Sequence, residues 1–301
     1  MTPKILVTGG QGQLGQSFQW LSTQGALPLA ATLQLLGRQE LDISKRESIE
    51  QALLTYQPDV VINAAAYTAV DKAESEPDLA YAINATAVEH LAQACAQHGV
   101  RFVHVSTDYV FDGCAAQPYA EDAATNPCSV YGASKLAGEQ AALAALPSSI
   151  ILRTSWVFSQ FGHNFLKTML RLGAERDTLS IVDDQFGGPT YAPHIAQVLL
   201  QLAQHPQEHG IYHFSGSPHV SWFEFAQAIF STVHQQQLLP RIPTLTPIPT
   251  HAYPTPARRP AQSGLSMERL NHIGLPIQLD WQAGILECLG ALRTMEQPKP
   301  S

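Results

Sequence analysis

Tyr131 and Lys135 are the residues of this chain whose types and spacing most directly indicate a reaction. They are four positions apart, and on a helix this spacing places both side chains on one face. An ammonium group beside a phenol favours the phenolate, so we expect it to lower the pKa of Tyr131. Such a phenol can give a proton to a forming alkoxide or take one from an alcohol. The pair also occurs on ordinary solvated helices, but Thr107, in an upstream Val-Ser-Thr-Asp segment, favours the chemical interpretation.

A glycine-rich turn near the N-terminus offers a binding site for a second reactant. A short apolar run leads into Gly9, Gly10, Gly12 and Gly15, and residues 13–21 have a helical pattern. Both G-x-G-x-x-G and G-x-x-G-x-x-G fit these glycines, and strand–turn–helix is the context that a dinucleotide fingerprint requires. Glycines let the backbone approach a pyrophosphate, whose charge is met by the helix N-terminus. An ordinary strand-to-helix turn is the alternative, and the βαβ pattern that follows favours a nucleotide cofactor.

Composition argues against several classes of partner. The 301 residues are 45% hydrophobic and 14% charged, which allows a large core in one α/β unit or two domains. The net charge of −8 argues against nucleic acid and anionic membranes. We find no signal segment or bilayer-spanning run, and the four cysteines lack C-x-x-C spacing, so we expect a reduced, cytoplasmic protein. The twelve histidines lack metal-ligand spacing, so no metal site is predicted.

Alternating strand and helix signals in the first half must position these residues. Nearly continuous apolar runs at 59–66 and 101–106 are typical of strands covered on both faces, and helical patterns separate them. Repeated βαβ units predict an α/β fold with a Rossmann-type, doubly wound parallel sheet. Ligands bind such sheets at the carboxyl ends of the strands, where the glycine turn and residues 65–68, 106–109 and 154–156 all fall.

The chain is predicted to divide near residue 155. Residues 1–155 form the dinucleotide-binding domain, and 190–216, a further helix–strand unit, is expected to rejoin it. Residues 156–301 form mainly a smaller C-terminal substrate domain. Seven prolines within 240–262 predict an extended surface loop there rather than a regular element.

Six motifs together resemble those of the dTDP-4-dehydrorhamnose reductases, a branch of the extended short-chain dehydrogenase/reductase family. The likeness runs from residue 5 to the C-terminal helix, and Ser-Thr-Asp-Tyr-Val-Phe-Asp-Gly is the most specific of the motifs. The motifs occupy residues 41–43, 63–74, 106–113, 131–139, 153–158 and 184–190.

The resemblance implies the reduction of a nucleotide-linked keto sugar. In this family the 4-keto group of dTDP-4-dehydro-L-rhamnose becomes the hydroxyl of dTDP-L-rhamnose, with a hydride from the nicotinamide C4. By analogy, Tyr131 gives the proton, Lys135 holds the nicotinamide ribose and lowers the Tyr131 pKa, and Thr107 bonds to the keto oxygen. Asp108 is expected to contact a sugar hydroxyl and Trp156 the sugar ring. A turn-capping Asp108 and a core Trp156 are the structural alternatives.

The predicted cofactor is NADPH, with NADH as the less favoured choice. The second predicted strand ends in Gly37-Arg38 without an acidic residue, and an arginine there can accept a 2′-phosphate. The predicted cofactor-binding residues are Gly9, Gly12, Gln13, Leu14 and Gly15 at the pyrophosphate, Arg38 at the 2′-phosphate, Asp42 and Ile43 beside the adenine, Ala65, Ala66, Tyr67 and Thr68 on the nicotinamide side, and Tyr131 with Lys135 next to them.

One position departs from the family pattern. Some family members bind Mg²⁺ at a dimer interface through acidic residues, one of which lies two positions after the last glycine of the turn. Here that position is Ser17, which lacks the carboxylate that a hard cation prefers. The metal is therefore not carried over to this chain, and the metal-mediated dimer is in doubt with it. A homodimer is left open as the form of assembly.

Two other functions remain open from the sequence. Another nucleotide-sugar enzyme of the superfamily, a 4-epimerase or a 4,6-dehydratase, would share the fold. Tyr109 follows Asp108 where a dehydratase normally has a glutamate, which argues against the dehydratase. The non-catalytic alternative is an NADP-binding regulatory subunit of methionine adenosyltransferase. The complete set of Thr107, Tyr131 and Lys135 favours catalysis.

Overall fold

Six parallel strands form the central sheet in this computed structural model, which describes residues 2–28 and 30–296. In chain order, the strands of the described residues are β1 (Lys4–Thr8), β2 (Thr32–Leu36), β3 (Val60–Asn63), β4 (Arg101–Thr107), β5 (Ile150–Thr154), β6 (Val157–Phe158), β7 (Thr178–Val182), β8 (Phe186–Gly187), β9 (Thr190–Tyr191), β10 (Gly210–His213), β11 (Val220–Ser221) and β12 (Thr244–Ile248). The central sheet has the order β10-β5-β4-β3-β1-β2, and every neighbouring pair is parallel. The predicted parallel α/β fold is confirmed.

Helices connect most of these strands. Within the described ranges they are α1 (Gln13–Thr23), α2 (Arg46–Tyr56), α3 (Val70–Ala73), α4 (Pro77–Tyr81), α5 (Ala87–His98), α6 (Val130–Ala145), α7 (Phe165–Glu175), α8 (Ala192–Ala203), α9 (Trp222–Gln235), α10 (Glu268–His272) and α11 (Trp281–Glu296). A π-helical segment, Ala82–Thr86, joins α4 to α5, and 3₁₀ turns occupy Asp108–Val110 and Thr250–Ala252. No helix in the part of the chain that the structure describes has the length and apolar character to span a bilayer.

Helices cover both faces of the central sheet. Along β1, Ile5 and Val7 pack with α1 and α8 on one face, whereas Leu6 packs with α2 and α5 on the other. All residues of β3 and β5 are buried. This double coverage is the physical reason for the apolar runs that predicted the strands.

The chain changes direction along the sheet between β1 and β3. From β1 it passes outward to β2 and then crosses to the other side to form β3. Loops that leave the carboxyl ends of β1 and β3 therefore diverge and leave a crevice, which is the usual ligand position in such sheets. Gly9 and Ala64 are the first residues after these two strands.

A separate apolar core lies in the C-terminal part of the chain. Leu166 of α7, Phe225 and Ile229 of α9 and Ile285 of α11 belong to it. β10, by contrast, pairs with β5 at the edge of the central sheet. The division near residue 155 stays a prediction. Met1, Leu29 and residues 297–301 of the two predicted domains lie outside the described residues.

The proline-rich stretch is more regular than predicted. Within 240–262, β12 pairs in parallel with β7, and a 3₁₀ turn follows it. The prediction of a loop without regular elements is wrong for these residues. Pro247 is tolerated because β12 belongs to a two-stranded sheet, so one side of the strand needs no ladder hydrogen bonds.

Candidate active site

A cleft of about 740 Å³ opens at the carboxyl ends of the central strands. Segments that follow β1 to β5 line it, together with α6 and residues 162–163. The cleft therefore coincides with the crevice that the strand order creates. The predicted site residues that line it are Gly9, Gly12, Gln13, Leu14, Arg38, Asp42, Ile43, Ala65, Ala66, Thr68, Thr107, Asp108, Tyr131, Lys135 and Trp156.

Two predicted cofactor residues, Gly15 and Tyr67, do not line the cleft. A Cβ atom at Gly15 would overlap the carbonyl oxygen of Gly9, so this glycine lets α1 pack against the turn. The backbone N–H of Tyr67 donates to Asn84 Oδ1 (2.8 Å), and the Tyr67 hydroxyl donates to Glu76 (2.7 Å). Both residues therefore support the walls of the cleft, and direct cofactor contact by either stays a prediction.

The first turn of α1 fits a dinucleotide pyrophosphate. Gly12 is its N-cap and brings no side-chain acceptor, so the first amides can meet phosphate oxygens. The Gln13 side chain is engaged elsewhere. Its Nε2 donates to the Val157 carbonyl (3.3 Å), and its Oε1 accepts from Ser159 (3.0 Å) and Asn164 (2.7 Å). Only the backbone of Gln13 is left for a phosphate.

Helix α6 places Tyr131 and Lys135 at the wall of the cleft. Its N-cap is Ser129, whose Oγ accepts the N–H of Gly132 (3.1 Å). A Cβ atom at Gly132 would overlap the carbonyl oxygen of Tyr109, so glycine lets the helix approach the end of β4 closely. Both Tyr131 and Lys135 then line the cleft from one helix face.

Burial dominates the pKa of Tyr131. Removal from water raises the pKa of the phenol above its ordinary value, a hydrogen bond with Thr107 lowers it in part, and Asp108 and Tyr109 raise it further. The expectation that Lys135 lowers this pKa is wrong, because the Lys135 amine is hydrogen-bonded to His104 and the Val105 carbonyl of β4 instead. A phenol with a raised pKa stays protonated at neutral pH, which suits a proton donor.

Lys135 belongs to a buried polar series beneath the cleft. Its Nζ donates to the Val105 carbonyl (2.7 Å) and lies 3.2 Å from His104 Nε2. On the other side of the imidazole, His104 Nδ1 is 3.0 Å from Asn63 Nδ2, and Asn63 Oδ1 accepts from the Thr8 hydroxyl (2.5 Å). Burial lowers the pKa of Lys135 to about 8 and that of His104 well below its ordinary value. The amine therefore titrates just above neutral pH.

Asp108 stands beside Thr107 where β4 ends. The Thr107 hydroxyl donates to Asp108 Oδ1 (3.0 Å), whereas Oδ2 is buried and has no hydrogen-bond partner among residues 2–28 and 30–296. Burial raises the pKa of this carboxyl to about 7, opposed in part by the nearby hydroxyls of Thr107 and Ser263. A buried oxygen without a partner, on a residue that lines the cleft, is available to a bound molecule.

Trp156 is held in place by a second tryptophan. Its indole stacks on Trp222 with ring centroids 3.5 Å apart and an interplanar angle of 3°. Its φ of +46° is uncommon for a residue with a side chain. One face of the ring is therefore used in packing, and the remaining surface borders the cleft. Contact with a sugar ring stays a prediction.

The chain is similar in sequence to a described family and to named proteins. A family model described as the RmlD substrate binding domain matches residues 3–294. The dTDP-4-dehydrorhamnose reductase of Aggregatibacter actinomycetemcomitans is 44% identical over 288 residues, which cover 94% of this chain and 97% of that protein. The chain belongs to the dTDP-4-dehydrorhamnose reductase family. The reductase of Escherichia coli (strain K12) is 42% identical over 257 residues, which cover 84% of this chain and 86% of that protein.

Solved structures extend the similarity to three dimensions. The dTDP-4-dehydrorhamnose reductase of Bacillus anthracis, in complex with NADP, matches with a TM-score of 0.89 at 35% identity, covering 97% of this chain and 100% of that chain. The UDP-glucose 4-epimerase of Thermus thermophilus, in complex with NAD, has a TM-score of 0.79 at 20% identity, covering 96% of this chain and 99% of that chain. The second likeness shows the fold alone.

In this dTDP-4-dehydrorhamnose reductase family member, Ser17 is buried within α1. Its hydroxyl donates to the carbonyl oxygen of Gln13 (2.9 Å). Across the described ranges, no three or more His, Cys, Asp or Glu side chains are grouped so as to hold a metal ion. The absence of a metal near Ser17 stays a prediction.

Two residues beside the cleft lie outside the predicted set of site residues. His104 lies against Lys135, and Arg259 donates to the Tyr109 hydroxyl (2.9 Å). The available signal for His104 is its position within the apolar run 101–106, because a buried imidazole needs partners. Arg259 comes from a distant segment, and no local pattern joins it to the site.

Proposed function

We propose that this protein reduces the 4-keto group of dTDP-4-dehydro-L-rhamnose to give dTDP-L-rhamnose, using NADPH. The observation that carries the proposal is that Thr107, Tyr131 and Lys135 line the same cleft as the glycine turn. A hydrogen-bond donor for the keto oxygen, a protonated phenol and an amine are the groups that a carbonyl reduction uses. The two relatives named above support the choice of substrate, since each is a dTDP-4-dehydrorhamnose reductase.

Each residue of the cleft has its own role in the proposed reaction. Bound NADPH supplies the hydride for the carbonyl carbon. Tyr131 gives its proton to the carbonyl oxygen, and its raised pKa keeps that proton in place until negative charge develops there. Thr107 donates a hydrogen bond to the same oxygen and stabilises this charge. Lys135 orients the cofactor ribose.

Tyr131→Phe tests the proposal. We expect it to lower kcat for NADPH oxidation with dTDP-4-dehydro-L-rhamnose by about 10²–10⁴-fold, because it removes the general acid. NADPH binding, followed by nucleotide fluorescence, should change little. Tyr81→Phe, on a surface tyrosine that is 40% exposed, is the matched control.

Two results would count against the proposal. Wild-type protein that binds NADPH but does not oxidise it with this substrate would favour a regulatory subunit. Interconversion of nucleotide-sugar epimers without added NADPH would favour an epimerase.

Arg38 is proposed to select NADPH over NADH. It lines the cleft just beyond β2, and its side chain is 78% exposed and paired with Asp42 only at 3.9 Å, so the guanidinium can meet a 2′-phosphate. We expect Arg38→Ala to lower the NADPH-to-NADH ratio of kcat/KM by about tenfold or more, because a charge-assisted hydrogen bond is lost. Arg46→Ala, at an exposed arginine outside the cleft lining, is the control. An unchanged ratio in Arg38→Ala would defeat this assignment.

Three further properties remain predictions from the sequence. They are a cytoplasmic location, assembly as a homodimer and the boundary between the two domains.

A further inference from the structure

Each reduction leaves Tyr131 without its phenolic proton. This starting point rests on the proposed function, in which Tyr131 is the acid. Because burial raises the pKa of the phenol, the phenolate is strongly basic and must be protonated again before the next turnover. The proton must reach it from a neighbouring group or from water in the cleft.

The polar series beneath Lys135 is closed to solvent within the part of the chain that the structure describes. Lys135 contacts the Val105 carbonyl and His104, His104 contacts Asn63, and Asn63 contacts Thr8. His104, Asn63 and Thr8 are each 0% exposed. A proton that Lys135 gave to Tyr131 could not be replaced from beneath, because this series does not reach solvent.

Thr107 and Asp108 form a second connection, on the cleft side. Thr107 lines the cleft together with Tyr131 and lies near enough to the phenol to lower its pKa, and its hydroxyl donates to Asp108 Oδ1 (3.0 Å). Asp108 also lines the cleft, and its Oδ2 has no partner within the described ranges. We propose that Asp108 returns a proton to Tyr131 through the Thr107 hydroxyl after each turnover.

The single hydroxyl proton of Thr107 determines which form of Asp108 is useful. Beside an ionised carboxylate, Thr107 must donate to Asp108 and has no proton for the keto oxygen or for Tyr131. Beside a protonated carboxyl, the Asp108 O–H donates to Thr107 Oγ1, and Thr107 can donate onward. The protonated carboxyl therefore supports both the keto-oxygen contact and the proton transfer.

The transfer balances without a further reactant. The Tyr131 phenolate takes the Thr107 proton while the Thr107 oxygen takes the Asp108 proton, which leaves a carboxylate. That carboxylate then takes a proton from water in the cleft. In sum, one keto group, one NADPH and one proton give one hydroxyl group and one NADP⁺.

The surroundings of Asp108 allow it to hold a proton near neutral pH. Burial raises its pKa to about 7, opposed in part by the nearby hydroxyls of Thr107 and Ser263. The titratable groups that face it are Tyr131 on α6 and Tyr109 on the 3₁₀ turn, and both are phenols of raised pKa. The cation on this side, Arg259, donates to the Tyr109 hydroxyl.

Asp108→Asn tests the relay, because an amide keeps the size of the side chain but cannot supply the proton. We expect steady-state kcat at pH 6 to fall by about tenfold or more. Wild-type kcat should decline as the pH rises through about 7, and the variant should lose this decline. In a single turnover with excess enzyme and NADPH, the rate of the variant should fall less than its steady-state kcat does, since Tyr131 starts protonated.

A second variant guards against misfolding of Asp108→Asn, and a spectroscopic measurement provides a readout other than activity. Ser263→Ala removes a nearby hydroxyl that lowers the Asp108 pKa, so the decline in kcat should move to higher pH. In infrared spectra, wild type should show a protonated-carboxyl band that titrates near neutral pH and is missing in Asp108→Asn. Asp122→Asn, at an exposed aspartate of the same connection, is the matched control.

If Asp108→Asn changes only KM and leaves kcat and its pH profile as in wild type, Asp108 is a contact for a sugar hydroxyl. That result would overturn the relay. A carboxyl band that titrates at about pH 4, the ordinary value for aspartate, would overturn it as well. If wild type does not oxidise NADPH with dTDP-4-dehydro-L-rhamnose, the proposed function itself fails, so the two failures are distinguishable.

Discussion

At the scale of single residues, burial moves Tyr131 and Lys135 away from their ordinary titration ranges in opposite directions. The pKa of Tyr131 is raised, and that of Lys135 is lowered to about 8. The Glu139 carboxylate favours the ammonium form of Lys135, but Glu139 is itself paired with Arg153 (2.7 Å). The fold therefore keeps a charged amine in a buried place at a cost in stability, as functional sites commonly do.

The pH dependence of unfolding should reveal the buried amine. The pKa of Lys135 is about 8 in the folded protein and about 10.4 in an unfolded chain. Between these values the unfolded chain binds more protons, so the contribution of Lys135 to the free energy of unfolding rises with pH. We expect the difference between wild type and Lys135→Met to rise by about 1–3 kcal/mol over this range in urea unfolding. Lys45→Met, at a lysine that is 69% exposed, should show no such trend, and a flat difference for Lys135→Met would contradict the prediction.

At the scale of elements, a buried ion pair holds α6 against the sheet. Glu139 of α6 accepts from Arg153 of β5 through both carboxylate oxygens and also from Ser106 of β4. The Arg153 guanidinium lies 5.0 Å from the centre of the Phe111 ring. These contacts secure the helix one turn after Lys135, so they set the position of Tyr131 and Lys135, the proposed catalytic pair, relative to the end of β4.

Removal of one partner of this ion pair should destabilise the protein strongly. We expect Glu139→Gln to lower the free energy of unfolding by about 3–5 kcal/mol, because it leaves Arg153 buried without a counter-charge. Glu139→Leu combined with Arg153→Met should recover much of the loss, since no buried charge remains. Urea unfolding measures both. Glu175→Gln, from an ion pair whose side chains are 60% and 52% exposed, should change stability by less than about 1 kcal/mol. Equal effects at the two ion pairs would refute this prediction.

At the scale of the whole molecule, Arg259 joins the C-terminal half to the cofactor half. Its guanidinium donates to Asp71 of α3 (2.7 Å) and to the Tyr109 hydroxyl (2.9 Å). The backbone N–H of Ala257 donates to the same aspartate (3.2 Å). Tyr109 in turn packs edge-on against Tyr131, with ring centroids 5.5 Å apart. Arg259 therefore links a segment far along the chain to the proposed acid.

Loss of Arg259 should loosen this segment and weaken catalysis. We expect Arg259→Ala to speed hydrogen exchange of residues 255–262 by about tenfold or more, because charge-assisted hydrogen bonds are lost. Mass spectrometry of deuterated peptides measures this exchange, and kcat should fall in parallel. Arg258→Ala, at the exposed neighbouring arginine, is the matched control. Identical exchange in the two variants would show that Arg259 does not hold the segment.

Local patterns were enough to predict the sheet and much of the cleft lining. The sequences of β1, β3 and β4 are runs of apolar residues because helices cover both faces of the sheet. Such runs can be recognised in the sequence without coordinates. The glycine turn and the four-residue spacing of Tyr131 and Lys135 are likewise local, since each lies within one turn or one helix. Parallel topology then brings the carboxyl ends of the strands together. β12 was missed because the prolines in and around it are typical of a loop, and its pairing with β7 is a long-range contact.

The sequence by itself determined the fold class, the family and which residue types reach the cleft. Only the tertiary structure decided their ionisation and partners. Lys135 binds the Val105 carbonyl and His104 rather than shifting Tyr131, and Arg259 meets Asp71 across 188 positions of chain. The physical reason is that desolvation and hydrogen bonding depend on every atom around a group, and these atoms come from segments whose separation along the chain carries no information about their distance in space.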